Sequence, residues 1–363
     1  MKKNWKRRSR EFRKRVLLNK ANKRWRAGHR KKGRHHISPA TEELMMIHAL
    51  KRAFPGYEYI PAPRIFSLAN NEVETLSFLR TIQDLYDTKT KLVVRLDAVK
   101  EITSDAILLL MYTMVQFKTA NIKFNGTKPK NKYVRQKVDK SGFFDYLMGQ
   151  GMELKEEYSF NRIESHLYTH GQKRVDPALA DELVKSASTF VWGEPRRCQG
   201  VQKTLLELMH NTYDHADRIK GEKHWWISVE QDKQKQEVTF AFVDFGVGIF
   251  RSLRNKKPTE PLYGALDRLI ERFPGVKTEP ELLQLILEGH IRKTQSKKYN
   301  RGKGLSKINT LYKENKISSL VMMSNYASIR KDEEDYHKLD DEFMGTFISF
   351  KINKNTVSLP WIG

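Results

Sequence analysis

The sequence predicts a two-domain α+β protein, with an α/β unit in its first half and an α/β sandwich in its second half. Strands and helices alternate with short connections between residues 59 and 147, and a separate apolar, β-rich run ends in a glycine turn at residues 238–249. The chain has 363 residues, of which 39% are hydrophobic, so it is long enough to bury two cores. We expect a basic, disordered arm at 1–37, the first domain at 38–150, a helical connector at 151–200, the second domain at 201–355 and a tail at 356–363.

Positive charge is concentrated at the start of the chain. Residues 1–36 contain 17 Lys and Arg and a single acidic residue, which is +16 of the formal net charge of +24. Trp5 and Trp25 are interleaved with these cations, and aliphatic residues are too few for a core. This composition favours phosphate neutralisation with occasional base stacking. Nucleic acid, another acidic partner or membrane surface, and a solvated tail with no specific role are the alternatives.

The composition also limits where the protein works. The longest nearly apolar run, Ala106–Val115, is about half the length that a membrane span requires, so we expect no transmembrane segment. Val16–Leu18 is too short for the apolar centre of a signal peptide. The single cysteine, Cys198, excludes an internal disulfide framework, and His35, His36, His210 and His215 show no metal-ligand spacing. A cytoplasmic location is therefore expected.

The first domain is predicted to contain a parallel sheet. Strand, helix, strand and helix follow one another with short connections, which is the pattern of parallel strands joined by crossover helices. The predicted elements are helix Thr41–Ala53, helix Glu72–Tyr86, strand Lys91–Asp97, helix Asp105–Thr119, strand Asn121–Asn125 and helix Lys132–Leu147.

In the second domain, the segment Leu205–Ala216 predicts a helix with one polar stripe. Glu207, Asn211 and Asp214 are spaced i, i+4 and i+7, so at about 100° per residue they lie within roughly 60° of one another. A carboxylate and an amide one turn apart suit a hard, oxygen-liganded cation with a water beside it, as in magnesium–nucleotide chemistry. An amphipathic helix without any ligand has the same pattern, so the stripe needs support from other segments.

Three glycine-containing segments downstream supply that support. An apolar strand delivers Asp244 into the turn DFGVG, where a carboxylate can face the amino edge of a base. Arg301–Leu305 (RGKGL) opens a helix, and glycines with cations at a helix N-terminus favour a phosphate. Gly345–Ile352 is a terminal strand that begins with Gly-Thr.

In this order the four segments resemble the Bergerat-fold (GHKL) ATPases, which include gyrase B, the large heat-shock chaperones of that fold, MutL, histidine kinases and anti-sigma-factor serine kinases. ExxxNxxDHA at 207–216 resembles the N box, DFGVGI the DxGxG box, RGKGL the GxGL box after the ATP lid, and GTF the closing strand. The resemblance covers roughly residues 176–355. It implies ATP and Mg²⁺ as ligands, and an ATP lid at His290–Arg301.

The same resemblance implies a role for each side chain. Asn211, on one stripe with Asp214, would coordinate the Mg²⁺ that bridges the phosphates, and Asp244 would bind the adenine amino group. Glu207 would be the general base, which is typically worth about 10²–10⁴ in rate. Lys303 or Arg301 would offset charge on the γ-phosphate, or Lys303 would be a solvated lid charge. The remaining nucleotide contacts would come from Gly246, Gly248, Gly302, Gly304, Leu305 and Thr346.

The first domain resembles the STAS domains, the fold of anti-sigma-factor antagonists, in the stretches VVRLDAVKEITSDAILLLM, IKFNG and FFDYL. In that family a serine after a Leu-Asp strand starts the next helix and is often phosphorylated, and here Asp97 and Ser104 correspond. The usual Asp-Ser-Ser-Gly is replaced by Thr-Ser-Asp-Ala, and the loop is slightly shorter. Ser104 or Asp105 would serve equally well as a helix N-cap.

The second domain is predicted to be an α/β sandwich with helices on one face of a mixed, four-stranded sheet. Its predicted strands are His224–Glu230, Glu237–Asp244, Ile317–Ser324 and Gly345–Ile352, and its helices include Asp176–Phe190, Pro261–Arg272 and Glu279–Glu288.

Three functions remain open from the sequence. The first is an ATP-driven conformational switch. ATP would close the lid, the ATP-binding domain could dimerise, and the partners bound by the first domain and by the basic arm would change. The second is an anti-sigma-factor-type serine kinase that acts on Ser104 in cis or on a STAS-domain partner. The third is a nucleic-acid-binding regulator whose ATP site only senses nucleotide.

Overall fold

The computed structural model describes residues 39–141, 143, 158–160, 167–172, 175–215, 225–260, 262–291 and 304–360. The basic arm at 1–37, the predicted lid beyond Ile291, and Gly302 and Lys303 lie outside the described residues. The first unit comprises α1 (Pro39–Ala53), β1 (Glu58–Pro61), β2 (Ile65–Phe66), α2 (Glu72–Asp87), β3 (Leu92–Arg95), β4 (Glu101–Ile102), α3 (Ser104–Thr119), β5 (Phe124–Gly126) and α4 (Lys132–Lys140).

The second unit begins with two short strands and continues to the end of the described chain. Its elements are β6 (Tyr158–Phe160), β7 (Leu167–Gln172), α5 (Pro177–Trp192), β8 (Arg196–Arg197), α6 (Gln199–His215), β9 (Trp225–Asp232), β10 (Glu237–Asp244), α7 (Ile249–Arg254), α8 (Ala265–Arg272), α9 (Glu279–Leu287), α10 (Gly304–Lys313), β11 (Ser318–Arg330), β12 (Asp335–Asn353) and β13 (Leu359–Pro360).

The first unit has the predicted parallel sheet. Its three strands lie in the order β1-β3-β5, and both pairings are parallel. A second parallel pair joins β2 to β4. Every residue of β3 is buried, as expected for the central strand of a parallel sheet covered on its faces.

Helix α3 is apolar around most of its circumference, because it is buried between two sheets. Ala106 to Met111 are six consecutive residues, and none of them is more than 1% exposed. An amphipathic surface helix would expose part of this run. Helix α3 contacts β5 of its own unit on one side and β9 and β10 of the second unit on the other.

The main sheet of the second unit has six strands in the order β11-β12-β10-β9-β7-β6. All of its described pairings are antiparallel, so the prediction of a mixed, four-stranded sheet is wrong. The two additional strands, β6 and β7, come from the region predicted as a helical connector. Their sequences, YSF and LYTHGQ, are short and carry too few apolar residues to give a strand pattern.

Both faces of this sheet are covered, one by the helices of the second unit and the other by α2 and α3 of the first unit. The alternation along the strands shows this directly, since successive side chains of a strand point to opposite faces. Phe240 and Phe242 of β10 pack with the second unit's helices, whereas Ala241 and Val243 pack in the core of the first unit. The expectation of helices on one face only is therefore corrected.

The last two strands of the sheet form a hairpin longer than predicted. β11 has 13 residues and β12 has 19, and they meet in a turn at 331–334. The outer part of the hairpin is rich in charged residues, so the sequence shows no alternation of apolar and polar residues there that would predict a strand. Helix α2 of the first unit packs against β12.

None of the described helices combines the length and the apolar character needed to cross a membrane.

Candidate functional site

A cleft opens on the helical side of the six-stranded sheet, between α6, α10 and the glycine turn that follows β10. Its walls are mostly apolar and include Leu208, Phe242, Val247 and Ile249. Seven of the site residues predicted from the sequence line it: Asn211, Asp244, Gly246, Gly248, Gly304, Leu305 and Thr346.

Asp244 and Thr346 lie side by side across two neighbouring strands. They are register partners in the antiparallel pairing of β10 with β12. The Asp244 carboxylate accepts a hydrogen bond from the backbone N–H of Gly246 at 2.9 Å, and it is also hydrogen-bonded by Thr346. Burial outweighs these hydrogen bonds and raises the pKa of Asp244 to about 6. A carboxylate that titrates near neutrality in a cleft is a typical functional group.

The pairing beside Asp244 depends on a glycine. Gly345 has a φ of +104°, a conformation that side chains rarely adopt, and a Cβ at this position would lie 2.0 Å from the carbonyl oxygen of Asp244. The strand therefore approaches Asp244 closely enough to place Thr346 next to it. This gives the Gly-Thr pair a physical reason in this chain.

On the opposite side of the cleft, α6 and the start of α10 are in close contact. A Cβ on Gly304 would lie 3.2 Å from Cβ of Glu207 and 3.3 Å from Nδ2 of Asn211, so these three residues meet. Lys307, one turn into α10, has its Nζ 3.5 Å from Oε1 of Glu207. The Glu207 side chain is 26% exposed, so solvent reaches the carboxylate.

For the other predicted residues, the structure either describes no side chain or places the residue away from the cleft. The side chain of Asp214 lies outside the described part of the structure, although its backbone is in α6, and Gly302 and Lys303 lie outside it altogether. Ser104, the predicted phosphosite, is in the first unit and is only 3% exposed. Neither Ser104 nor Asp105 is the N-cap of α3, which is Thr103.

Asp105 instead binds the loop before α2. Its carboxylate accepts hydrogen bonds from the backbone N–H groups of Leu68 at 2.7 Å and Ala69 at 3.2 Å. Burial raises the pKa of Asp105, and these hydrogen bonds oppose the rise. Asp105 therefore has a structural role that sequence reasoning did not assign.

Sequence reasoning missed three further residues beside the cleft. Lys307 contacts Glu207, and Ser324 and Asn325 of β11 bind the glycine turn after β10. Ser324 and Asn325 follow the apolar run LVMM, where a polar pair is 0% and 1% exposed. Buried polar side chains need partners, but a sequence does not show that the partners are about 75 residues away.

The comparisons with family models, with curated proteins and with solved structures each give no match. Within the described ranges, no group of three or more His, Cys, Asp or Glu side chains is arranged to hold a metal ion.

The arrangement suits a planar, polar ring with an anionic tail. The apolar walls can cover the faces of a ring while Asp244 accepts a hydrogen bond at its edge. At the other side, the N-terminus of α10 favours an anion. The carboxylate of Glu207 and the amide of Asn211 stand next to that helix end.

Proposed function

We propose that this protein binds Mg²⁺-ATP in a Bergerat-type (GHKL) domain and uses the nucleotide as a conformational switch coupled to a STAS-like first unit. The observation that supports this most is the meeting of the four motif segments at one cleft. They are separated by up to about 140 residues in the sequence, and seven predicted site residues nevertheless line the same space.

Asp244 is proposed to select the base. An ionised carboxylate accepts a hydrogen bond from the 6-amino group of adenine, whereas guanine places a carbonyl oxygen at that position and would be repelled. Thr346, which is hydrogen-bonded to Asp244, holds the carboxylate in this orientation. We therefore expect adenine nucleotides to be preferred over guanine nucleotides.

The donor set at the other side of the cleft fits magnesium. The side-chain amide of Asn211 lines the cleft, and Glu207 offers a carboxylate one turn away. Mg²⁺ prefers such oxygen ligands and keeps several waters and phosphate oxygens. Asn211 would hold the ion, which when bound neutralises charge on the phosphates.

Glu207 is proposed to be the general base for hydrolysis. Its carboxylate would take a proton from a water as the water oxygen attacks the γ-phosphorus and the bond to the bridging oxygen breaks. Lys307 orients the carboxylate through the ion pair at 3.5 Å. Transfer to a serine would use the same base.

One contact favours the switch over a kinase that acts in cis. Phe245, in the glycine turn next to Asp244, stacks on Tyr112 of α3, with a centroid separation of 3.2 Å and an interplanar angle of 2°. A change in the turn on nucleotide binding would thus reach the first unit directly. Ser104 is buried, so its phosphorylation in cis would require α3 to open. Polyanion binding by residues 1–36 stays a prediction.

The test is incubation of the full chain with γ-labelled ATP and Mg²⁺, following free phosphate, protein-bound label and nucleotide affinity together. Free phosphate without protein label is expected. Glu207→Gln should lower the turnover by about 10²–10⁴ and leave the Kd for ATP within a few-fold, because the lost group acts on the reacting proton.

The matched control for this experiment is Glu271→Gln on the exposed surface of α8, which should leave both quantities unchanged. Label on the protein that disappears with Ser104→Ala would establish the kinase instead. Wild-type protein that binds no ATP would contradict the proposal as a whole.

A further inference from the structure

The glycine turn after β10 is fixed by two buried side chains of β11. Ser324 is 0% exposed and Asn325 is 1% exposed, and neither lines the cleft itself. Both are hydrogen-bonded to the start of α7, the helix that follows the turn. They can therefore affect the cleft only through the residues that they bind.

Ser324 joins the two segments that carry Asp244 and Thr346. Its Oγ accepts a hydrogen bond from the backbone N–H of Ile249 at 2.9 Å and donates one to the carbonyl oxygen of Gly345 at 2.8 Å. Ile249 is the first residue of α7 directly after the glycine turn, and Gly345 precedes Thr346. Ser324 is also the register partner of Thr346, so Ser324, Thr346 and Asp244 form one row across three strands.

Asn325 closes the turn from the other side. Its Oδ1 accepts a hydrogen bond from the N–H of Phe250 at 3.1 Å, and its Nδ2 donates to the carbonyl oxygen of Val247 at 2.9 Å and to Oε1 of Glu342 at 3.0 Å. Asn325 has a φ of +52°, which asparagine tolerates better than most residues.

The N-cap position of α7 explains why these side chains are needed. It is occupied by Gly248, which has no side chain to cap the first N–H groups of the helix. Ser324 and Asn325 provide the two missing acceptors from another strand. A Cβ on Gly248 would lie 2.4 Å from Oδ1 of Asn325, so the glycine also makes room for this cap.

We propose that Ser324 and Asn325 are positioning residues that determine base selectivity in the cleft, by holding the Asp244 turn and Thr346 in one fixed arrangement. This inference rests on the proposed binding of adenine nucleotides. Only a carboxylate held at a fixed angle distinguishes an amino group from a carbonyl oxygen at the edge of a base. A turn released from Ser324 or Asn325 would let the Asp244 side chain rotate away and would accept both bases.

The test compares Kd values for ADP and GDP, with Mg²⁺, for the full-length wild type, Ser324→Ala and Asn325→Gly. Glycine at position 325 keeps the backbone conformation unstrained and removes all of the side-chain hydrogen bonds. In both variants the Kd for ADP should rise about tenfold, the order expected for a lost buried hydrogen bond, while the Kd for GDP stays within about twofold. The selectivity ratio should therefore fall by a similar factor.

The matched control is Ser228→Ala on β9. Ser228 is equally buried in the same sheet, and its hydroxyl has no hydrogen-bond partner among the described residues. It should keep the wild-type selectivity ratio. Thermal unfolding of each variant checks that the folded protein is being compared.

Two results would overturn the inference. Both leave the selectivity ratio at the wild-type value in both variants. In one, the Kd values for ADP and GDP are unchanged, and in the other they rise by the same factor, which would mean a purely structural role. Wild-type protein that binds neither nucleotide would instead contradict the proposed function, so the two failures are distinguishable.

Discussion

Asp244 brings together opposing influences on a single carboxyl group. Burial at the base of the cleft disfavours the charged form, while the Gly246 N–H and Thr346 stabilise that form. The resulting pKa of about 6 means that the empty protein changes charge at this position just below neutral pH. Two pH effects with defined signs follow.

The affinity for adenine nucleotides should depend on the ionisation of Asp244. Above pH 6 the carboxylate is ionised and can accept a hydrogen bond, so Asp244 should add no pH dependence to the Kd for ADP. Below pH 6 the Kd should rise by up to tenfold per pH unit, because binding must first remove the proton. Isothermal titration calorimetry between pH 5 and 8, at constant ionic strength, measures this.

Asp244→Asn provides the reference for that titration, because phosphate ionisation of the nucleotide is common to both proteins. The variant should bind about tenfold more weakly at pH 8 and should lose the additional slope below pH 6.

The stability of the empty wild type should fall as pH rises from about 4 to about 6, since the native state holds the proton longer than the unfolded state. If the wild type and Asp244→Asn showed the same pH dependence of the Kd for ADP and of stability, this role of Asp244 would be ruled out.

At the level of elements, the cleft depends on two close approaches between elements, each of them at a glycine. Gly304 lets α10 meet α6, and Gly345 lets β12 meet the end of β10. The second is the more demanding, because the neighbour is backbone and cannot rotate away. The site therefore depends on the packing of whole elements as well as on its polar side chains.

Gly345→Ala should destabilise the protein strongly. The added methyl group would lie 2.0 Å from the Asp244 carbonyl oxygen, and the φ of +104° would itself be strained. Gly193→Ala is the matched control, because Gly193 also has a positive φ, +80°, and a methyl group added there would have no neighbour within 4 Å. We expect Gly345→Ala to cost about 3 kcal/mol more than the control in urea unfolding. Equal costs would show that the strand can shift without penalty.

The sequence was sufficient for elements whose signal is local. The strands β3 and β5 of the first unit, the helix that carries Asn211 and the strand that ends at Asp244 each have a clear apolar pattern or a glycine motif, whereas the short strands β1, β2 and β4 were not predicted. The meeting of Asp244 with Thr346 was also predictable, though only through the family resemblance. Spacing along the chain does not by itself bring residues 244 and 346 together.

Non-local features could not be predicted in this way. β6 and β7 are held by pairing with β9 and not by their own composition, so a local pattern did not reveal them. Ser324 and Asn325 bind a turn that is distant in sequence, and no period indicates this. The run Ala106–Met111 did contain a usable signal, because a helix that is apolar all round must be buried on two sides.

At the level of the whole molecule, the two units share one core. Trp226, Val243 and Phe347 of the second unit are buried together with α2 and α3 of the first. The first unit thus takes the place of solvent on the second face of the six-stranded sheet. This arrangement makes the glycine turn after β10 and the first unit parts of one packed body, which the Phe245–Tyr112 stack illustrates.

A buried polar network also joins the two units at the outer end of the long hairpin. Glu72, at the start of α2, is 8% exposed and pairs with Arg330 of β11 at 2.9 Å and with His337 of β12. Ser328 donates a hydrogen bond to the same carboxylate at 3.0 Å. His337 also contacts Asp335, with Nδ1 at 2.9 Å from Oδ2.

His337 should make the stability of the protein pH-dependent near neutrality. Burial lowers the pKa of His337, but the hydrogen bond to Asp335 and the charge of Glu72 outweigh it, so the pKa is raised above 6.5. The contribution is therefore complete below pH 6.5 and is lost as pH rises through the folded-state pKa. Because about a third of the side chain is exposed, we expect only about 1 kcal/mol from it.

The measurement is urea unfolding of the wild type and of His337→Gln between pH 6 and 9. The wild type should be more stable by about 1 kcal/mol at pH 6, and the difference should shrink toward zero as pH rises, because neutral imidazole no longer pairs with both carboxylates. His48→Gln on the exposed side of α1 is the control and should follow the wild type at every pH. A constant difference between wild type and His337→Gln would show that the imidazole contributes by packing alone, and the two units would then be joined at this point chiefly by Glu72 and Arg330.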